Sequence, residues 1–520
     1  MEQSPVFLVD QSDPPAEPGD SHARSSDHKR ADSYRETLGD WLILGPTILI
    51  SLATAVFPLL RAFYRFEVNY NEGWNLYNSM IAVQRHTLYG ERYGWTTVNY
   101  PALSFYLVGH LSSMTHDPLL TGRILSLISL VICAGFIALI VRKLTSRVLP
   151  ALFGASFCLA IFCTQASSFV GTSEPHMLAH VFFLGGFLLY VSAPLSGNGL
   201  PATSRLAAIA LLFVIGGNIK HNPIDFPLAV LLDLCFVSGR KVLQFMLFSA
   251  TLIGISIYVN IAAGGPFFLA QLLRPRSLEL GVDFPSAITL PFVAALFWSI
   301  HIIKERGNRP ERAISLLFLV SIAVGFGFGF GSGVAVNTFF SNFLAISIVM
   351  GILLDVAWRR TPARFTRFGV WWKAGVPVVL CSCLLLSFLV SGDFNISRRL
   401  VEMRNKESNF KKEVTFLSLQ TGPAICESLL RCYDANKPYV YDPFNATTLM
   451  HFGKLHSREI TERIERLEYG AIQLRLPLEV VKRPNERFPD EILDAISRNY
   501  VISLKDPGCN IYVPQTKRQD

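Results

Sequence analysis

The chain has 520 residues, of which 51% are hydrophobic and 17% charged, against roughly 25% charge in a typical soluble protein. A mean hydropathy of +0.36 and 39 Phe exclude an all-soluble enzyme, a disordered chain and a collagen-like fibre, and put most of the chain in lipid. A net charge of +8, which in a soluble protein would point to nucleic acid, is read here as a record of membrane topology, with no nucleic-acid partner.

Residues 1–40 hold 9 acidic and 4 basic side chains among Pro, Ser, Asp and Gly, with almost no apolar periodicity. Such a segment buries too little to offset its ordering entropy, so it reads as a disordered cytoplasmic tail. Residues 41–392 are a transmembrane region of apolar blocks at approximately 41–60, 119–141, 149–166, 176–194, 205–219, 224–238, 243–261, 284–303, 312–330, 334–357 and 371–391. Most can cross a hydrocarbon core that needs about 20 apolar residues, which gives about 11 transmembrane helices. No cleavable leader is visible, because the first block begins at Trp41 and reads as a full span. The blocks 205–219 and 224–238 are short and separated by Asn218-Ile219-Lys220-His221-Asn222-Pro223, a pattern of broken helices lining a cavity.

Eleven spans with the N-terminus inside put the C-terminus outside. The loops then predicted to be cytoplasmic hold 15 of the 23 basic residues between positions 41 and 392, as the positive-inside rule requires. Residues 393–520 hold 20 basic and 18 acidic side chains, the composition of a water-soluble domain. Runs such as Pro438 to Tyr441 and Ala471 to Arg475 read as strands, and Ser457 to Leu467 and Pro489 to Arg498 as helices, so a small extracytoplasmic α/β domain is expected. Its carboxylates are spread out and no nucleophile–base pair is evident, which makes it an accessory domain. Cys426 and Cys432 lie there, where oxidising conditions permit a bridge, and Asn395 and Asn445 begin Asn-X-Ser/Thr sequences.

The candidate chemistry lies in the outward segments. The large first outward loop, 61–118, carries Tyr70-Asn71-Glu72-Gly73-Trp74-Asn75 and, later, Asn99-Tyr100-Pro101. A carboxylate among flat amphipathic rings suits a sugar, while an interfacial aromatic belt with a solvated Glu fits the same composition. Glu174 lies in the turn Gly171-Thr172-Ser173-Glu174-Pro175-His176. An ionisable residue at the mouth of a bundle is a functional candidate, and capping of the next helix is the plainer reading. Lys220, Arg274 and Arg276 are outward cations beside apolar sequence, suited to a lipid phosphate or to ordinary headgroup contact.

Taken in order, Tyr70 to Asn75, Asn99-Tyr100-Pro101, the turn around Glu174, Asn218-Ile219-Lys220 and Gly264-Gly265-Pro266-Phe267 resemble successive landmarks of the GT-C membrane glycosyltransferases. The likeness is to bacterial relatives of protein O-mannosyltransferase and of the lipid A aminoarabinose transferase, and it spans nearly the whole membrane region. It implies a polytopic α-helical membrane protein of GT-C type in a bacterial inner membrane. Such a protein moves a sugar from a polyprenyl-phosphate carrier to an envelope glycan, lipid or protein on the outer face. In that family the first outward loop carries an acidic active-site residue, often in an Asp-Glu pair, and a second follows the third span. Glu72 and Glu174 match these places as catalytic carboxylates, and Asn71 stands where many relatives have the Asp.

Glu72 is then the expected general base and Glu174 its supporting carboxylate. Lys220 with Arg274 and Arg276 stabilises the departing phosphate, and Tyr70, Trp74, Asn99, Tyr100 and His176 contact substrate. No metal ligand set is defined and no cofactor is required, although the two carboxylates leave a divalent cation open as an option. The alternative function is a polytopic secondary transporter of a small polar or lipid-linked substrate, whose path the broken helices with Lys220 and Asp225 would line.

Overall fold

In lipid a backbone must satisfy its own hydrogen bonds, so the apolar blocks become helices. The computed structural model describes residues 38–84, 87–192, 200–278, 288–331, 333–359, 395–483 and 485–515, with isolated positions between 360 and 394. The expected tail up to residue 37 and the expected span 371–391 lie essentially outside the described residues.

The helices run α1 (Leu38–Arg61), α2 (Asn71–Gln84), α3 (Leu103–Thr115), α4 (Pro118–Thr145), α5 (Val148–Gln165), α6 (His176–Val191), α7 (Leu200–Ile219), α8 (Asp225–Cys235), α9 (Gly239–Gly264), α10 (Phe268–Leu272), α11 (Thr289–Lys304), α12 (Arg309–Gly329) and α13 (Phe340–Arg359). Among the described residues six apolar stretches are long enough to cross a membrane: Pro118–Thr145, Val148–Gln165, Ala202–Ile219, Gly239–Gly264, Arg309–Gly329 and Val336–Arg359. Thr47–Arg61, His176–Val191 and Thr289–Lys304 are shorter apolar helices. The block 224–238 is not a span. Its helix, α8, has 11 residues, a rise of about 16 Å against a hydrocarbon core of about 30 Å.

The outward loop is itself helical. It holds α2 and α3, and α4 then starts at a well-defined cap, where the Asp117 carboxylate accepts from Leu120 N–H at 3.1 Å and Pro118 occupies the first turn. At the far end of the bundle Asp233 of α8 is fully buried and accepts from the Tyr190 hydroxyl at 2.6 Å and Arg312 Nε at 2.6 Å. This ties α6, α8 and α12 together.

The C-terminal segment begins with α14 (Ile396–Leu419), followed by β1 (Ala424–Cys426), α15 (Leu429–Asp434), α16 (Pro443–His451), α17 (Ser457–Glu465), β2 (Ala471–Leu474), α18 (Asp490–Asn499), β3 (Tyr500–Asp506) and β4 (Cys509–Pro514). The strands form one sheet in the order β1-β2-β4-β3, with β1 parallel to β2 and the other pairs antiparallel. The expected strand at 438–441 is absent. Pro438 to Tyr441 is extended but unpaired, and it leads to Asp442, whose N–H donates to Trp95 O of the first outward loop at 2.7 Å. Cys426 and Cys432 are disulfide-bonded.

The sheet segment is docked on α2. Trp74 and Tyr77 share a buried apolar cluster with Leu417, Leu429, Ala471 and Ile511, and the Tyr77 hydroxyl donates to Lys437 O at 2.8 Å. Arg65 bridges Asp434 at 2.8 Å and Asp117 at 2.9 Å. The approach is closest at Gly73, where an added Cβ would lie 2.1 Å from the backbone nitrogen of Leu430. Backbone cannot yield as a side chain does, so Gly73→Ala should cost about 1–3 kcal/mol or more. Limited proteolysis in detergent should then cut the loosened C-terminal segment faster than in the wild type; equal rates would mean the interface absorbs the methyl group.

Candidate functional site

A cavity of about 820 Å³, its open mouth included, lies where α2, α6, α8, the break 220–224 and the segment around Asp442 meet. Tyr70, Trp74, Asn99, Tyr100, His176, Lys220 and Arg276, all predicted from the sequence, line it. Asn71 lines it as well, whereas Glu72 does not. Adjacent residues in a helix point about 100° apart, so if Asn71 at the start of α2 faces the cavity, Glu72 turns into the protein.

Lys220 is buried at the end of α7, with Nζ 3.1 Å from Glu174 Oε1 and 3.3 Å from the centre of the Tyr100 ring. Glu174 Oε1 is also 2.7 Å from His176 Nδ1, and Oε2 is 3.3 Å from Asn75 Nδ2. Burial pushes the Glu174 carboxyl upward, but Lys220 and His176 outweigh it and hold the group at about 2. Burial lowers Lys220 to about 8, against the opposing pull of Glu174. Glu174 is therefore a fixed anion and Lys220 a cation close to its titration point. Among the described residues no three His, Cys, Asp or Glu side chains are grouped to hold a metal ion. Glu174 is matched by Lys220 and is not left open to a cation.

The two arginines stand at different depths. Arg276 lines the cavity, and Arg274 sits behind it, buried, with a hydrogen bond to Asn445 Oδ1. With its amide oxygen turned toward them, Asn99 accepts from Arg276 at 3.0 Å and from Arg274 at 3.2 Å. Arg274 Nε and Nη1 have no hydrogen-bond partner among the described residues, leaving donors for an anion.

Glu72 is fully buried against Arg123 of α4, which it grips through Nε at 2.7 Å and Nη2 at 2.8 Å. Its oxygens also accept from Val68 N–H at 2.8 Å and Ser173 N–H at 3.1 Å. Arg123 in turn donates to the carbonyls of Tyr64 and Phe66, both at 2.6 Å. No open position remains on this carboxylate for an acceptor.

Of the cavity's two further carboxylates, Asp442 escaped the sequence reading, whereas Asp225 was read with Lys220 only as lining a transport path. Asp442 caps α16, accepting from Phe444 N–H at 3.1 Å and Asn445 N–H at 3.0 Å, and also accepts from the Tyr439 hydroxyl at 3.1 Å and that of Tyr70 at 3.4 Å. Burial raises its carboxyl above the usual carboxylate range, against the pull of the Asn445 N–H and of Arg274. Asp225 begins α8 and lines the cavity beside His180, Asn337, Thr338 and Ser341. The Asp442-Pro443 pair was a legible helix start, but nothing local said that the helix abuts the membrane region. Asn445, read as a glycosylation sequence, is buried and hydrogen-bonded to Arg274.

The chain shares its fold with ArnT and with an archaeal oligosaccharyltransferase. ArnT from Cupriavidus metallidurans bound to undecaprenyl phosphate superimposes with a TM-score of 0.56 at 11% identity, covering 90% of this chain and 98% of that one. The apo state of the same ArnT gives a TM-score of 0.58 at 10% identity, covering 90% and 97%. The archaeal oligosaccharyltransferase AglB from Archaeoglobus fulgidus, in complex with an inhibitory peptide and a dolichol-phosphate, gives 0.52 at 10% identity over 94% of this chain and 75% of that one. No protein-family profile matches the chain and no curated protein matches it in sequence.

Removing one partner of a buried pair leaves the other charge uncompensated, at about 3–5 kcal/mol. Glu72→Gln should accordingly lower the melting temperature in detergent and leave little folded protein. A Glu72→Gln protein that melts like the wild type but transfers nothing would instead restore Glu72 as the reacting carboxylate.

Proposed function

We propose that the protein transfers a sugar from a polyprenyl-phosphate carrier to a hydroxyl of an envelope glycan, lipid or protein at the outer face of a bacterial inner membrane. The observation that carries this reading is the arc of Lys220, Arg276 and, behind them, Arg274 around one cavity of a membrane helix bundle, with buried guanidinium donors still unfilled. A carrier phosphate needs such an arc, and its prenyl chain needs the apolar surface beside it. The GT-C fold supports transfer over transport. So does the pinning of α6, α8 and α12 by Asp233 at the opposite end, where a transport path would have to open.

In this reading Asp442 is the general base. As the acceptor oxygen attacks the anomeric carbon, its proton passes to a carboxylate oxygen of Asp442 and the bond from that carbon to the phosphate oxygen breaks. The electron pair leaves with the carrier phosphate, whose charge Lys220 and Arg276 offset, so no acid is needed. A carboxyl with a raised affinity for protons suits this task, whereas Glu174, held at about 2, suits the fixing of Lys220 and His176. Glu72 frames the loop. The cations at the far end of the bundle, Arg309 and Arg312 among them, suit a cytoplasmic face, and the C-terminal segment then lies outside.

Lys220→Met should weaken binding of bare polyprenyl phosphate by an order of magnitude or more, as expected when a charge-assisted contact is lost. The same binding to the wild type should hold below about pH 8 and weaken above it, because a cation is lost as pH rises through that value. Unchanged binding by Lys220→Met would assign Lys220 to structure alone. Asp442→Asn keeps the helix cap, so the fold and carrier binding should survive while transfer falls by about 10² to 10⁴. Full turnover by Asp442→Asn would remove it as the base.

A further inference from the structure

The inner wall of the cavity, beyond the cations, has no role in the chemistry above and carries a different set of groups. Asp225 is 1% exposed at the first turn of α8, and its Oδ1 accepts the neighbouring Phe226 N–H at 2.9 Å. Among the described residues it forms no ion pair. Such a buried carboxylate is costly unless donors reach it. Beside it His180 Nδ1 lies 2.7 Å from His176 O and Nε2 lies 3.1 Å from Ser341 Oγ. A ring nitrogen facing a carbonyl oxygen carries the proton, so in the neutral ring Nε2 accepts from the Ser341 hydroxyl. Ser341 also reaches the Asp225 carboxylate, so its one hydroxyl proton is shared between two acceptors. Asn222 Oδ1, on the same wall, is buried without a hydrogen-bond partner among the described residues.

This wall is therefore rich in unfilled acceptors, and it calls for a ligand that brings donors. Val324, Phe328 and Val334 add apolar surface able to meet C–H groups. A sugar ring offers both, with hydroxyls at its edge and C–H groups on its faces. The ring's charge is constrained from two sides. Burial raises the Asp225 carboxyl to about 7, so a carboxylate on the ring would oppose it in its charged form, and an ammonium would face Lys220 and Arg276 in the same cavity. The break between α7 and α8 spaces these contacts: Lys220 stands before it, Asn222 within it and Asp225 after it.

We infer that Asp225, Asn222 and Ser341 form the subsite for the transferred sugar, and that it takes an uncharged, hydroxyl-rich ring with two of its hydroxyls donating to Asp225. The inference rests on the carrier reading of the cavity. Asp225 is a binding residue and takes no proton in the transfer step.

The test uses the full-length protein in detergent and three probes: bare polyprenyl phosphate, the same carrier bearing glucose, and the same carrier bearing glucuronate. The wild type should bind the glucosyl carrier about 10-fold or more tightly than the bare one, the scale of one or two hydrogen bonds to a charged group, and should gain nothing from glucuronate. Asp225→Asn should lose the glucose increment and keep bare-carrier binding, which also reports that it folds. Ser341→Ala should reduce the increment and serves as the second variant if Asp225→Asn does not fold. The subsite is overturned if the variants keep the increment, if glucuronate binds as tightly as glucose, or if the wild type binds the bare carrier but gains nothing from glucose. If the wild type binds no carrier at all, the donor reading itself falls, and the subsite with it.

Discussion

The site depends on the buried pair of Glu72 and Arg123. A guanidinium at 1% exposure needs every donor matched, and Arg123 meets this with Glu72 and with the carbonyls of Ala62, Tyr64 and Phe66. Glu72 in turn collects the N–H groups of Val68 and Ser173. Three segments distant in sequence are thereby held together: the stretch from the end of α1 to the start of α2, α4 through Arg123, and the turn that presents Glu174. Because the pair is dry, it is specific in geometry even where its net contribution to stability is small. Moving any one of the three segments would strand a charge.

From that frame the remaining charges fall into separate tasks. Glu174 is neutralised by Lys220 and hydrogen-bonded by His176, which fixes the lysine at the edge of the cavity. Lys220 also rests on the face of Tyr100, so its position is set by a ring as well as by a carboxylate. Asn99 joins Arg276 to Arg274 through one amide oxygen. Like charges so close together repel, and two donors of Arg274 have no hydrogen-bond partner among the described residues. The bundle thus holds a positive wall and, across the break between α7 and α8, an acceptor-rich one.

Much of this was legible in the sequence because the signals were local. The broken pair of helices, the aromatic loop and the outward cations were each readable from a few neighbouring residues, and seven of those predicted side chains line one cavity. The burial of Glu72 was not legible because spacing along a chain does not say which side of a helix faces a ligand. That depends on Arg123, which is 51 positions away. Pro438 to Tyr441 has strand composition, but its backbone pairs with no strand and runs toward Trp95 instead. Asp442 was hidden for the same reason: it reads as a helix cap, and only tertiary packing carries the cap to the cavity.

The position of Asp442 bears on Asn71. At the start of α2 this chain has a neutral amide that faces the cavity. A base cannot be an amide, so a transferase with this loop needs its carboxylate from elsewhere. Asp442 meets that need from the C-terminal segment, across the Tyr70 hydroxyl at 3.4 Å. Its burial raises its proton affinity, while the cap N–H groups keep the charged form soluble in the protein. The sheet segment then cannot be an accessory domain in the proposed chemistry. Its docking on Gly73 becomes part of the active site, because that contact sets where the base stands relative to Lys220.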